Sequence, residues 1–438
     1  MLIDFKMKNF ASFKEEMILS AETGAYLKSY RETNTFEFKK LKLLKNLLIF
    51  GPNGAGKTWV INGLLTMKKI VLSGGGENSA SRLSFTPFAL DEDSRNEDTS
   101  FTIDLLIDSV QYQYRFDYNA RAVTYESLDI IKRNKTINYF KRQDQNLLNV
   151  PDQLKAYVKN MRINGLFLYI AQQFNDIHAM RIFNWFDNDL YAIDNSGRVP
   201  AELVKLMKNQ TLKDEMVAFL RNADFNIIDI RVRDIPTLNL QDIPEQLQPL
   251  FKDAPKTVPQ LFTVHKKYNG AGQVVGDEEF SLSQESLGTI RIFKIVLYII
   301  YSQVNGSHKT ILIDEFDDSL HNELSQSLVR IFNSKQNLNQ FILTTHNIQL
   351  MDLKVRIDQI YLAEKDFHGI STLNSIFDFN DPRTKGRLDI HFAKRYIEGR
   401  YGAVPIVDTE ELLKTLARVD GIVGEQYVKN EEKDKTTF

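Results

Sequence analysis

The 438 residues contain no cysteine, which excludes disulfides, thiolate metal sites and a cysteine nucleophile together. Neither sign of charge predominates: 55 Lys and Arg stand against 57 Asp and Glu, for a formal net charge of −2. That balance gives no global electrostatic case for nucleic acid, although a local basic patch is compatible with it. Long hydrophobic runs are missing as well. The most apolar stretch, Ile290 to Val304, is interrupted by Arg291, Lys294 and Gln303. It is too short to span a bilayer, so it reads as a buried helix and no membrane contact is expected. The opening Met1-Leu2-Ile3-Asp4-Phe5-Lys6 lacks the apolar core and small-residue cleavage site of a signal peptide. The expected compartment is the cytoplasm.

What is present is an α/β alternation. Ile3 to Met7 alternates in polarity, and Leu47 to Phe50 is a short apolar run ending at glycine, as in a strand buried on both faces of a mostly parallel sheet. Trp59 to Val71 reads as a helix stopped by Gly74-Gly75-Gly76. From Thr99 to about Leu147 the period is two, which predicts an antiparallel meander. Residues 151 to about 230 look mainly helical, and the proline-rich stretch from Ile235 to Pro259 looks like a linker. Strands at Leu261 to Tyr268 and Val274 to Phe280 lead into the long apolar helix. Strand Thr310 to Asp314, helix Asn322 to Phe332 and strands Gln340 to Thr345 and Gln359 to Ala363 complete the alternation. The length suits two or three parts. The expected division is 1–170, a mainly helical insertion over 171–260, and 261–438, whose charged tail frays at Glu431 to Lys435.

Chemistry concentrates at a few points. Gly51-Pro52-Asn53-Gly54-Ala55-Gly56-Lys57-Thr58 matches G-x-x-x-x-G-K-[ST] completely, after a buried strand and before a helix. Glycines there let successive amides turn inward around a phosphate, and the helix N-terminus adds partial positive charge. Lys57 can reach the β- and γ-phosphates of ATP, and the Thr58 hydroxyl can bind Mg²⁺. Lys309 to Glu315 is an apolar strand ending in two acids: Asp314 can hold Mg²⁺ through water, and Glu315 can polarise the attacking water as general base. His346 follows another apolar strand 31 residues after Glu315, where it can hydrogen-bond the γ-phosphate or that water. Ser286-Leu287-Gly288-Thr289 opens the long helix; it is either a helix cap with a close-packing glycine or an anion site for a second subunit's γ-phosphate. Gln172 and Gln173 end the stretch Leu166 to Ala171, and spacing alone argues against a role for them.

In this order, phosphate loop, glutamine, Ser-x-Gly, Asp-Glu and His resemble the ABC-class ATPases of the SMC and RecF-like branch. With the opening Lys8 to Phe13 and the ending Lys394 to Pro405, the chain looks like the stand-alone RloA/AbiL-like ATPases of bacterial phage-defence and abortive-infection loci. The resemblance implies an ABC-type P-loop NTPase head, in which Gly51, Asn53, Gly54, Ala55, Gly56, Lys57 and Thr58 hold ATP as Walker A. Ile311 to Glu315 falls on Walker B, with Thr58 and Asp314 at Mg²⁺. It places Ser286 and Gly288 on the signature, Ser319 in the D-loop, and His346 at the switch position. Gln172 or Gln173 is then the Q-loop glutamine, and Glu315 and His346 are catalytic. It also implies a homodimer, head to tail, sandwiching two ATP molecules. The signature departs from the family pattern: Leu287 stands for its first glycine and Thr289 for its Gln or Glu.

Related OLD-type proteins append a TOPRIM nuclease marked by a glutamate and an Asp-x-Asp pair. Beyond Ala363 only 75 residues remain and none forms Asp-x-Asp, so no fused nuclease is expected. Arg387 to His391 reads as a basic surface. The leading expectation is an ATP-hydrolysing sensor or motor in phage defence, acting with a separately encoded effector. A RecF-like DNA maintenance ATPase and a nucleotide-gated scaffold with little turnover are the alternatives.

Overall fold

The computed structural model of the chain describes residues 1–38, 41–76, 78–132, 135–194, 196–236, 257–306, 308–379, 391–402 and 408–419. Two compact units emerge, Met1–Ala403 and Val404–Phe438. In the second, residues 409–419 form a helix with Leu412, Leu413, Leu416 and Val419 exposed.

The first unit begins with β1 (Leu2–Lys8), β2 (Met17–Ser20), a one-turn α1 (Arg31–Asn34), β3 (Thr35–Phe38), β4 (Leu41–Leu44), β5 (Asn46–Phe50) and α2 (Lys57–Ser73). The meander follows as β6 (Thr99–Ile107), β7 (Val110–Tyr118), β8 (Val123–Lys132), β9 (Lys135–Gln143) and β10 (Asn146–Asn149). Next come α3 (Phe167–Gln173), α4 (Ile177–Asn188), β11 (Leu190–Ile193), α5 (Ala201–Leu206), α6 (Gln210–Asn222) and β12 (Asp229–Pro236). The remainder is β13 (Thr257–Tyr268), β14 (Val274–Ser281), α7 (Leu287–Asn305), β15 (Thr310–Ile313), α8 (Asn322–Phe332), β16 (Gln340–Thr344), β17 (Ile360–Lys365), β18 (Ser371–Ser375) and α9 (Phe392–Ile397).

Two large sheets enclose α2. One is antiparallel, in the order β10-β9-β8-β7-β6-β1-β2. The other runs β11-β15-β16-β5-β17-β18, parallel throughout except for the last pair. The pleat of β5 partitions the interior. Leu47 and Ile49 join Phe5, Met7, Val60, Leu64 and Phe101 in a core around α2. Leu48 and Phe50 face the opposite way, into a core with Phe293 and Val296 of α7 and Leu328 of α8. A strand buried on both faces is continuous in hydrophobicity for this reason. Contrary to the expectation from the shorter 290–304 run, helix α7 is long and apolar enough to cross a membrane by length and composition, but 67% of that window is buried inside the protein.

The described part of the 171–260 segment holds two complete strands among its helices. Leu190–Ile193 is an edge strand of the core sheet, paired in parallel with Thr310–Ile313, and Asp229–Pro236 pairs with β13. A four-residue apolar run cannot be told from a helical fragment by periodicity; its sheet partner decides. Phe167 to Ala171 lie in α3, with Leu166 as its N-cap, in keeping with the mainly helical reading of 151 to about 230. The buried carboxylate of Glu126, forty residues upstream, accepts from the Phe167 and Leu168 amides at 2.7 and 2.9 Å and caps that helix. The expected linker falls largely on 237–256, outside the described residues, as do 387–390 of the basic segment and the tail end at 431–435.

Candidate functional site

The carboxyl ends of β5, β15 and β16 lie side by side, and the chain leaves each at a residue of interest. From β5 it enters the 51–58 loop. Gly51 (φ 150°) packs so closely beneath β17 that a β-carbon there would lie 2.3 Å from the Ala363 carbonyl oxygen. Gly56 (φ 105°) has the Ser371 and Ser12 hydroxyls behind it, at 2.7 and 3.0 Å from where a β-carbon would stand. Asn53 and Gly54 form the exposed tip, whereas Ala55 is buried. The loop leads directly into the N-terminus of α2, a position that favours an anion.

Lys57 is buried, and its ammonium donates to the Gly51 and Pro52 carbonyls, both at 2.9 Å. Burial pulls its pKa down, while Asp314, Glu315 and Asp317 push it back up. Thr58 sits exposed in the first turn. Asp314 ends β15, and its carboxylate accepts from the hydroxyl of Thr344 on β16. The same hydroxyl accepts from the Glu315 amide at 2.7 Å, and the Phe316 amide donates to the Thr344 carbonyl at 2.9 Å. Glu315 is thereby held at φ 46°, a left-handed conformation costly for glutamate, with its carboxylate exposed. His346 leaves β16 next to these groups. Partial burial and then Lys57 lower its pKa, opposed by Asp317, Glu315 and Asp314.

The second cluster lies elsewhere. Ser286 caps α7, accepting from the Thr289 amide at 3.1 Å and sharing a 2.8 Å hydrogen bond with the Thr289 hydroxyl. Gly288 packs against the segment that follows β15: a β-carbon there would lie 2.4 Å from the Ser319 carbonyl oxygen. Ser286, Gly288 and Ser319 share a cleft of about 710 Å³ that none of residues 51–58 lines. Gln172 and Gln173 close the short helix α3. Their helix begins where the Leu166 amide bonds the Gly74 carbonyl (3.1 Å), beyond the far end of 17-residue α2, about 25 Å along its axis from Lys57.

Asp317, Thr344 and Arg291 were not singled out from the sequence. A third acid shortly after the pair was the signal for Asp317. Thr344 carried none, because a threonine ending a strand is ordinary until its hydroxyl is seen between two acidic residues.

The donor set suits the absent groups. Thr58 and Asp314 offer hard oxygen ligands close to a lysine already inside the loop, as Mg²⁺ and a polyphosphate require. A buried strand, a glycine loop, a helix and an acid pair on a neighbouring strand define a P-loop nucleoside-triphosphatase head. The chain belongs to the family described as "AAA domain, putative AbiEii toxin, Type IV TA system", whose profile matches residues 47–352. It is thus a P-loop ATPase. Among solved structures, it is similar to an Smc head bound to the C-winged helix domain of ScpA (14% identity, TM-score 0.43, covering 85% of this chain and 97% of that one). It is also similar to the SMC head domain from Thermotoga maritima (12%, 0.36, 85% and 98%). A third is the Smc head with an extended coiled coil bound to the C-terminal domain of ScpA derived from Pyrococcus furiosus (12%, 0.41, 85% and 96%). No curated protein matches.

Proposed function

We propose that the protein is a Mg²⁺-dependent ATPase of ABC type that works as a head-to-tail homodimer with ATP at both interfaces. The observation that carries this reading is the convergence of Lys57, Asp314, Glu315, Asp317 and His346 on one another's charge, while Ser286, Gly288 and Ser319 face a separate cleft. One copy supplies half a site. Residues 51–58 bind the phosphates, Thr58 and Asp314 hold Mg²⁺, and Glu315 accepts the proton of the attacking water. Bound Mg²⁺ neutralises charge on the β- and γ-oxygens. His346, neutral, donates toward the γ-phosphate, and the partner's copies of Ser286, Gly288 and Ser319 close over it. Gln172 and Gln173 take no part in this reading.

Phosphate release by the purified protein is expected to stop with EDTA and to fall about a hundredfold or more in Lys57→Ala and Glu315→Gln. Glu315→Gln retains ATP and accumulates as a dimer in light scattering. Turnover that survives Lys57→Ala refutes the assignment; a Glu315→Gln protein that stays monomeric with ATP refutes the sandwich.

The biological role in this reading is that of a cytoplasmic sensor or motor in anti-phage defence, coupled to a separately encoded effector. The toxin–antitoxin description of the family supports it. Plaque counts on cells carrying the gene with its neighbours, with and without Lys57→Ala, test the role: equal plaquing would sink it.

A further inference from the structure

We infer that Arg291 is a positioning residue through which the two nucleotide sites of the dimer proposed above depend on each other. The inference rests on that sandwich reading and concerns how its halves communicate.

Arg291 lies five residues after Ser286 on α7 and is only 3% exposed. Its guanidinium donates to the carbonyl of Glu315 and, at 2.8 Å, to that of Asp318. One nitrogen of the guanidinium thus holds two backbone carbonyls of the segment that follows β15. The acids Asp318, Glu315, Asp317 and Asp314 all act on its charge. One turn earlier, Gly288 packs against the Ser319 carbonyl so closely that no β-carbon fits. The first two turns of α7 are thus keyed at two points to residues 315–319.

That segment is held in an unusual shape at both ends: Glu315 has φ 46° and Ser319 φ 63°. Such conformations persist in L-residues only where surroundings enforce them. Thr344 holds the Glu315 amide from one side and Arg291 holds its carbonyl from the other. The direction of the Glu315 carboxylate therefore follows the position of α7. The start of α7 is open to a partner: Ser286 is exposed and Leu287 is 49% exposed. In the sandwich, Ser286 serves the partner's ATP while Glu315 serves its own. A shift of α7 as Ser286 docks moves Arg291, and Arg291 carries the shift to Glu315 of the same subunit.

Mixed dimers test this. A live subunit at limiting concentration is titrated with an excess of one of two partners: Glu315→Gln, which keeps ATP at the second site without turning it over, or Lys57→Ala, which deprives that site of its phosphate-binding lysine. Only the live subunit's site turns over in either dimer, and its own Ser286 faces the second site. Arg291→Met in the live subunit is expected to lower kcat about tenfold or more beside the Glu315→Gln partner, with half-saturation by ATP changed less than about threefold, and to change it less than about twofold beside the Lys57→Ala partner, where Ser286 has no docked ATP to report. Arg291→Lys, which keeps the charge and a donor, is expected to fold as wild type and to recover part of the turnover beside the Glu315→Gln partner; it carries the test if the methionine variant does not fold. An equal loss beside both partners, or no loss beside either, overturns the coupling. If the unmutated live subunit shows no Lys57-dependent turnover with either partner, the ATPase reading itself has failed, and that outcome is separate because Arg291 then has nothing to change.

Discussion

Replacing Thr344 with valine isolates the geometry of the acid pair, because the two side chains share a shape and differ by one hydroxyl. Thr344 is fully buried, so the change opens no cavity of consequence. It removes an acceptor 2.7 Å from the Glu315 amide and a donor to the Asp314 carboxylate. A donor left without its acceptor costs about 1–3 kcal/mol, and a hydrogen bond to a charged group contributes about 1.5–3 kcal/mol. Asp314 is half-buried and Glu315 exposed, so water compensates in part and the lower half of the sum applies, roughly 2.5–4 kcal/mol. Glu315 then relaxes from φ 46°, which recovers some backbone energy but takes the carboxylate out of register. Urea denaturation should show the stability loss. Phosphate release should fall about thirtyfold or more, since each 1.36 kcal/mol of transition-state stabilisation is tenfold in rate. Binding of a fluorescent ATP analogue should be unchanged, and Thr344→Ser should restore both losses. A valine variant within about 0.5 kcal/mol of wild type in stability and about twofold in turnover would refute the role given to the hydroxyl.

Two further perturbations probe the frame around the site. Glu126 accepts from two amides of α3 and from the Tyr114 hydroxyl (3.0 Å), with Arg142 fully buried 3.5 Å away. Glu126→Ala leaves a buried guanidinium without its counter-charge and should cost about 3–5 kcal/mol in chemical denaturation; a loss under about 1 kcal/mol would show that the carbonyls bonded to Arg142 suffice. Asp104, buried between Asp4 and Gln113, has its pKa raised from 3.8 to about 6, chiefly by burial. Because the folded value lies above the unfolded one, the folded state holds the proton more tightly, and stability falls as pH rises from about 4 to about 6. A rise of about 2 units corresponds to a cost of about 3 kcal/mol above that window. Asp104→Asn, which still accepts from Gln113, should melt higher than wild type at pH 7 and level with it at pH 4. Equal melting temperatures at pH 7 would contradict the direction of the shift.

How far the sequence reached depended on the range of the interaction involved. The phosphate loop, the Asp314–Glu315 pair and His346 were legible because each depends on residues next to one another, on a strand that is apolar because both its faces are buried, and on turn chemistry contained in the loop itself. The meander showed for the same reason, through its alternation. Tertiary structure decided what depends on partners far along the chain. Leu190–Ile193 is a strand because β15, 120 residues later, offers it an edge. Phe167–Gln173 is a helix because Glu126 caps it, and that helix begins beyond the far end of α2. Thr344 and Arg291 acquire meaning only once β16 and α7 are packed against the acid pair, since a hydroxyl or a guanidinium has no role in a sequence until its partners are within about 3 Å. The residues proposed to do the chemistry lie in locally legible motifs, and those proposed to aim them were placed by the fold.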